Sequence, residues 1–252
     1  MAPFTHRNVL ETKAADDHQH WPQDNDVFKL HRLELSISTD EHPFHRDHAD
    51  AARRNWVTEV AAKPALFDGK LILFNSLTIS EGEIEGVGHV IPYSTYLFWR
   101  KQPAPSSGYH LFGFPVIMSS DGALIAVEMA SHTANAGMVY CPAGSLDPSD
   151  IVAGRVDVEA NMRREVKEET GLDLVGARVD PFLYAYRRGR RVTVFRRFDL
   201  PLTSEEIFAR ITTHMETDHE QEIARPLAIR GADPHAHPYN PAMYPLLDYL
   251  FG

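Results

Sequence analysis

Cysteine is almost missing from this 252-residue chain, where Cys141 stands alone. That excludes an internal disulfide framework and makes a reducing compartment the expected setting. Long apolar runs are missing too. No stretch approaches the ~20 residues needed to cross a bilayer as a helix, and the N-terminus has no signal-peptide-like apolar segment. Positive charge is in deficit. With 25 Lys and Arg against 35 Asp and Glu, the formal net charge is −10, which disfavours nonspecific binding to nucleic acid or to anionic membrane. No internal repeat is found. These absences describe a cytoplasmic globular protein, long enough for one large domain or two small ones.

Histidine is plentiful, with 14 residues. His18 and His20, His42, His45 and His48, and His235 and His237 cluster locally, but none sits in a closed Cys/His pattern, so a structural zinc is not expected. Cys141 lacks a basic partner in the sequence and reads as a buried strand-end thiol.

Residues 1–25 are polar and aperiodic and read as a flexible tail. Alternation over 28–37 predicts a strand, bulged near Arg32, and 45–62 reads as an amphipathic helix ended by Pro64. Residues 71–74 and 84–90 read as strands and 93–100 as a short helix. The Pro/Ser/Gly stretch 103–108 is the expected boundary. Beyond it, strands are expected at 111–118, 123–127, 138–141, 177–186 and 191–200, with helices at 205–212 and 245–251 and one that Asp157 caps and Gly171 follows. The expected division is therefore a tail 1–25, an α+β extension 26–108 and a second domain 109–252.

The most informative segment is Arg-Glu-Val-Lys-Glu-Glu-Thr-Gly-Leu, residues 164–172. On a regular helix, at roughly 100° per residue, Glu165, Glu168 and Glu169 fall within one third of the circumference. Such a stripe repels itself unless something positive binds it. A solvated acidic face is the ordinary explanation, but the helical wheel argues against it. Val158, Met162 and Val166 mark the inward stripe, Glu165 and Glu169 point toward it, and Arg163 and Lys167 lie opposite. Glu168 lies at the edge, where Arg164 can pair with it at i+4. Carboxylates aimed inward need a partner or a cleft. A hard divalent cation suits them.

This run resembles the second half of the Nudix signature, whose fixed positions are met by Arg164, Glu165, Val166, Glu168, Glu169, Gly171 and Leu172. Upstream, Cys141-Pro142-Ala143-Gly144 resembles the loop that opens the signature, with Ala143 in place of the usual first glycine. Asp150 stands where the signature has its first glutamate. Thirteen residues, rather than seven, separate it from Arg164, an insertion of six. The segment around Pro64–Gly69 is similar to the N-terminal extension of Nudix proteins that cleave UDP-sugars.

The resemblance implies an α/β/α sandwich with a mixed sheet, preceded here by the smaller α+β element. It also implies a hydrolase that splits a nucleoside diphosphate linked to another group, such as ADP-ribose or a nucleotide sugar, using Mg²⁺ or Mn²⁺. Glu165 and Glu169 are the expected direct ligands, with Glu168 as a third or water-mediated one and a main-chain carbonyl in the Ala143–Gly144 loop as another. Arg164 is expected to orient the carboxylates. The general base is a carboxylate of this helix or one from the polar stretch 213–221 and its end, where Glu216, Glu220 and Glu222 lie; position within the run nominates Glu220. Arg187 and Arg188 read either as a solvated hairpin tip or as a grip on substrate phosphates beside Gly144, and that tip suits a homodimer contact. A triphosphate pyrophosphohydrolase and a non-catalytic nucleotide sensor are the competing readings.

Overall fold

The computed structural model describes residues 21–103, 105 and 107–252. Most of the expected tail, residues 1–20, lies outside the described residues. Residues 21–25 are docked: Trp21 is buried, Asp24 pairs with Arg187 at 2.7 Å, and the Asn25 amide donates to the Arg187 carbonyl.

The chain begins with strands β1 (Phe28–Leu30) and β2 (Arg32–Ile37), then helix α1 (Pro43–Ala62). Pro43 at the first turn and the His42 ring, which accepts from the Phe44 amide at 3.0 Å, start this helix. Strands β3 (Lys70–Ser80) and β4 (Glu83–Pro92) form a long hairpin, and α2 (Tyr93–Arg100) follows directly, its Ser94 amide held by Asp68. Next come β5 (His110–Met118), β6 (Leu124–Met129), β7 (Val139–Tyr140), and a small hairpin of β8 (Ile151–Val152) and β9 (Arg155–Val156). Helix α3 (Val158–Thr170) carries the acidic run. It is followed by β10 (Arg178–Val179), β11 (Leu183–Arg188), β12 (Arg191–Asp199), α4 (Ser204–Met215), β13 (Ile223–Ile229) and α5 (Met243–Phe251).

The fold is α+β, an α/β/α sandwich built on an eight-stranded mixed sheet of order β1-β11-β12-β5-β6-β13, with β7 and β10 at its margins. Among the described strands, only β12 and β5 run parallel within it. A second, five-stranded sheet has the order β3-β4-β2-β9-β8. One core joins both sheets to α3 and α4, through Ile72, Phe74, Leu111, Met162, Val166, Ile207 and Ile211 among others. A second core covers the other face of the large sheet with α5, and a third seats α1 and α2 on β3. Each fully buried aliphatic side chain contributes about 1.5–3 kcal/mol. Gly113 allows α3 its close approach to β5, because a Cβ there would stand 2.8 Å from Met162. Among the described residues, no helix is long and apolar enough to cross a membrane.

Several expectations change in detail. The bulge expected near Arg32 is a switch between sheets: β1 pairs with β11 and β2 with β4, and the chain crosses over at His31. The single strand expected over 177–186 is broken at Asp180-Pro181, where the Asp180 side chain accepts from the Phe182 amide and turns the chain. Strand β13 was not expected. Its Pro226 would disrupt a central strand, but β13 is an edge, where the missing N–H costs little. Strand pairing crosses the boundary expected at residue 108 in both directions: β1 belongs to the large sheet, and β8–β9 belong to the second.

Candidate active site

The six extra residues of the acidic motif, 151–156, are the β8–β9 hairpin itself. Its turn, Ala153-Gly154, has φ of 49° and 76°, as a two-residue hairpin turn demands. The hairpin docks on the second sheet through Ser36 opposite Arg155. It closes where the Asp157 amide donates to the Asp150 carbonyl at 2.9 Å, so the loop ends and the helix start stay together despite the insertion.

Asp157 caps α3 by accepting from the Ala160 amide at 2.9 Å, and Gly171 ends it in a left-handed conformation at φ 70°. Val158, Met162 and Val166 lie in the core. Glu165 and Glu169, one turn apart, are buried at 9% and 8% exposure, while the Glu168 side chain is 58% exposed. Arg164 stands among four carboxylates, with Asp147 and Asp150 at 3.2 Å, Glu165 at 2.9 Å and Glu168 at 2.8 Å. Asp150 is buried and also accepts from the Asp147 amide and from Asn161. It therefore anchors loop to helix.

One guanidinium cannot neutralise this group. Burial pushes the Glu165 carboxyl up to about 8, against the pull of Arg164 and with help from Glu168 and Asp150. Burial raises Glu169 still more decisively, with Glu165 and Glu222 adding repulsion and only the Ala143 backbone opposing it. Its Oε2 atom is buried without a hydrogen-bond partner among the described residues. Burial works against the charge on Arg164 too, yet Glu165, Asp150 and Asp147 together hold it above its ordinary value.

Among the described residues, no three His, Cys, Asp or Glu side chains are gathered closely enough to hold an ion as they stand. The donor chemistry nonetheless fits a hard divalent cation. Glu169 has an orphaned oxygen, Glu165 is bound on one side only, and all the donors are oxygens. A cation would compete with Arg164 for Glu165.

Gly144 stands directly against this group, since a Cβ there would fall well inside contact distance of the Glu165 carboxylate. The obstructing atoms are the far end of a flexible side chain, so Gly144→Ala is expected to fold. It should displace the carboxylate and cut any metal-dependent activity by about 100-fold. A melting curve within a few degrees of wild type, measured beside the activity, checks this.

The later glutamates separate clearly. Glu220 is exposed in a turn capped by Asp218, and its own carbonyl is held by His132. Glu216 ends α4 and is exposed. Glu222 is partly buried: burial and then Glu220 raise its pKa, and its charge adds to the upward shift of Glu169. Of the two, the nominated Glu220 is the exposed one and Glu222 the partly buried one. The positive φ of 49° at Gln221 reverses the chain between them.

Arg187 is engaged away from the helix by the Pro22 carbonyl and Asp24, with Trp21 beneath it. Arg188 is exposed at the hairpin tip and has no ion pair among the described residues. Neither is brought to the carboxylates. Tyr140 is, by contrast, close enough for Glu169 to reinforce the effect of burial on its phenol, and it accepts from Asn135, which accepts from Arg100. Tyr93 of α2 feels Glu222 as well, and burial pushes it up to about 12. Cys141 is buried, and burial raises its thiol far above reactive values. Asn161, one turn before Glu165, is reported by its i−4 spacing; Tyr93 and Tyr140 carry no local signal.

The glycine-bearing loop, the internal arginine and the buried glutamates now stand in one place. In these parts the chain resembles the Nudix hydrolases. No protein-family model matches the chain, and no curated protein does. Among solved structures, DR0079 from Deinococcus radiodurans is 12% identical, over 73% of this chain and 99% of that one, at a TM-score of 0.47. A Nudix hydrolase from M. smegmatis, RenU, is 15% identical over 56% and 82%, at 0.36. A MutT protein from Methanosarcina mazei Go1 is 16% identical over 51% and 80%, at 0.33. At these identities and scores the likenesses decide neither activity nor substrate; the residues of the Nudix-like loop and helix must.

Proposed function

We propose that this chain is a metal-dependent pyrophosphohydrolase of the Nudix kind. Its substrate would be a nucleoside diphosphate linked to another group, with ADP-ribose and nucleotide sugars as the first candidates. The observation that carries this reading is the pair Glu165 and Glu169, buried one turn apart and under-neutralised. A purely structural helix gains nothing from such a pair, which destabilises the fold until a cation arrives.

Glu165 and Glu169 would hold Mg²⁺ or Mn²⁺, joined by Glu168 and the Ala143 carbonyl. Such an ion, when bound, supplies positive charge to phosphate oxygens and lowers the pKa of a water. Arg164 keeps Glu168 in place and limits the repulsion around Glu165. Gly144 lets the substrate's phosphates lie against the loop without a side chain in the way. Glu222 takes the proton from the attacking water as its oxygen bonds to phosphorus and the bridging P–O bond breaks toward the leaving phosphate. A raised carboxyl pKa suits that duty near neutral pH.

Glu222→Gln is therefore expected to lower kcat by about 100-fold with a small change in KM, and Glu220→Gln to stay within about two-fold of wild type. Equal effects of the two variants would remove Glu222 from this role.

A product assay tests the reading, run over ADP-ribose, UDP-glucose, NADH, diadenosine polyphosphates and the common triphosphates, with and without Mg²⁺. Cleavage of a diphosphate-linked compound supports it. Cleavage of triphosphates alone would move the substrate class, and Mg²⁺-independent nucleotide binding without product would make the chain a sensor.

A further inference from the structure

Three side chains from three elements form a buried line that ends at the catalytic loop. The Tyr96 hydroxyl, on α2, lies 3.2 Å from Nδ1 of His110 on β5, and Nε2 of His110 lies 3.4 Å from Oγ of Ser145. Tyr96 and His110 are 8% and 6% exposed, whereas Ser145 is partly open. Ser145 follows Gly144 directly. Its backbone is bridged to Phe112, its carbonyl accepts from Asn161, and the next carbonyl accepts from Ile72 of β3.

The protons along this line have one satisfactory arrangement. No acceptor other than Nδ1 is in reach of the buried Tyr96 phenol among the described residues, so its proton goes to Nδ1. Burial, together with Arg191 and Arg100 nearby, keeps His110 neutral. A neutral ring that accepts at Nδ1 carries its hydrogen on Nε2 and donates it to Ser145. Ser145 Oγ then accepts from inside the protein, and its own hydrogen is left to point outward. The Cβ direction at Gly144 faces Glu165, whereas the Ser145 side chain faces His110.

We propose that Ser145 donates a hydrogen bond to a phosphate oxygen of the substrate, and that Tyr96 and His110 are positioning residues that fix the direction of that bond. The proposal rests on the hydrolase reading for its ligand. The diphosphate would lie across the loop at Gly144, from the carboxylates on one side to this hydroxyl on the other. It also gives α2, which lies well before the acidic motif in the sequence, a part in the site through Tyr96.

Two measurements test it. In protein labelled with ¹⁵N-histidine, two-bond ¹H–¹⁵N spectra, with His110 assigned through His110→Gln, are expected to show Nδ1 bare and Nε2 protonated. Tyr96→Phe is expected to disturb that tautomer. A ring protonated on Nδ1 in the wild type would overturn the relay. Calorimetry with inorganic pyrophosphate and Mg²⁺ reads the ligand role. Ser145→Ala and Tyr96→Phe should each weaken binding about ten-fold, and the double variant no further. His110→Gln, which keeps a donor near the Nε2 position, should bind more tightly than His110→Ala. Additive losses, wild-type-like binding by Ser145→Ala, or no pyrophosphate binding by wild type would each overturn the ligand role. Failure of the wild type to turn over any diphosphate, with the tautomer and the coupling intact, would count against the hydrolase reading alone.

Discussion

Replacing Glu169 with glutamine is expected to abolish Mg²⁺-dependent turnover, by about a thousand-fold or more, and at the same time to raise the melting temperature of the metal-free protein. The two effects have one cause. Glu169 is buried, has an oxygen without a partner, and is repelled by Glu165 and Glu222. Such a carboxyl costs stability whether it ionises or takes up a proton to avoid doing so. Glutamine keeps the shape and removes the charge. A gain of about 1–3 kcal/mol corresponds to several degrees in a chain of this size. A residue whose role is structural would lose stability on the same substitution. Thermal melts of wild type and E169Q without metal, beside their turnover with Mg²⁺, give the comparison.

The second large effect is a loss of stability with rising pH. The Glu165 carboxyl in the folded chain sits at about 8, above its ordinary value of about 4.3. Glu169 and Glu222 are shifted in the same direction. Between those limits the folded state holds protons that the unfolded chain has already released. Stability must therefore fall as pH rises through that window. Other groups confine where the effect is seen cleanly. His42 and His110 are pushed down by burial, so they remove stability only below about 6.5, where the unfolded chain takes up their protons. Glu34, Asp121 and Glu206 are held low by hydrogen bonds, and their contribution is lost only in acid. From pH 6.5 to 8 the buried glutamates dominate. At about 1.4 kcal/mol per unit per proton, metal-free protein should lose about 2 kcal/mol or more over that range. Mg²⁺ held by these carboxylates would favour the ionised form and should flatten the slope. Denaturant titrations at pH 6.5, 7.25 and 8, with and without Mg²⁺, measure it; metal-free stability that rises over this range would contradict the assignment.

The acidic helix was legible in the sequence because every signal about it is local. Asp157 and Gly171 mark its ends, and Val158, Met162 and Val166 mark its inner face, so the directions of Glu165 and Glu169 follow from helical geometry alone. Pairing within hairpins was equally readable, as in β3 with β4. Long-range partners left no such trace. In the run Phe28–Ile37 the break in alternation near Arg32 reads as a bulge as readily as a change of sheet, because both halves alternate alike. The six extra residues of the motif were visible as a count, but their docking on β2 depends on a strand more than a hundred positions earlier. Glu220 and Glu222 have the same composition around them. The turn at Gln221 and the start of β13 decide which one is partly buried, and Pro226 obscured that strand. Tyr96, His110 and Ser145 come from α2, β5 and the loop after β7, and only the tertiary fold brings them together.

The account's central claim is that the buried glutamates of α3 form a divalent-cation site, and Mn²⁺ binding followed by electron paramagnetic resonance tests it most directly. Wild-type protein should take up Mn²⁺ more tightly at pH 8 than at pH 6.5, Mg²⁺ should displace it, and E169Q should bind at least ten-fold more weakly. Equal Mn²⁺ binding by wild type and E169Q, or none by either, would contradict the claim and leave these carboxylates without the partner their burial demands.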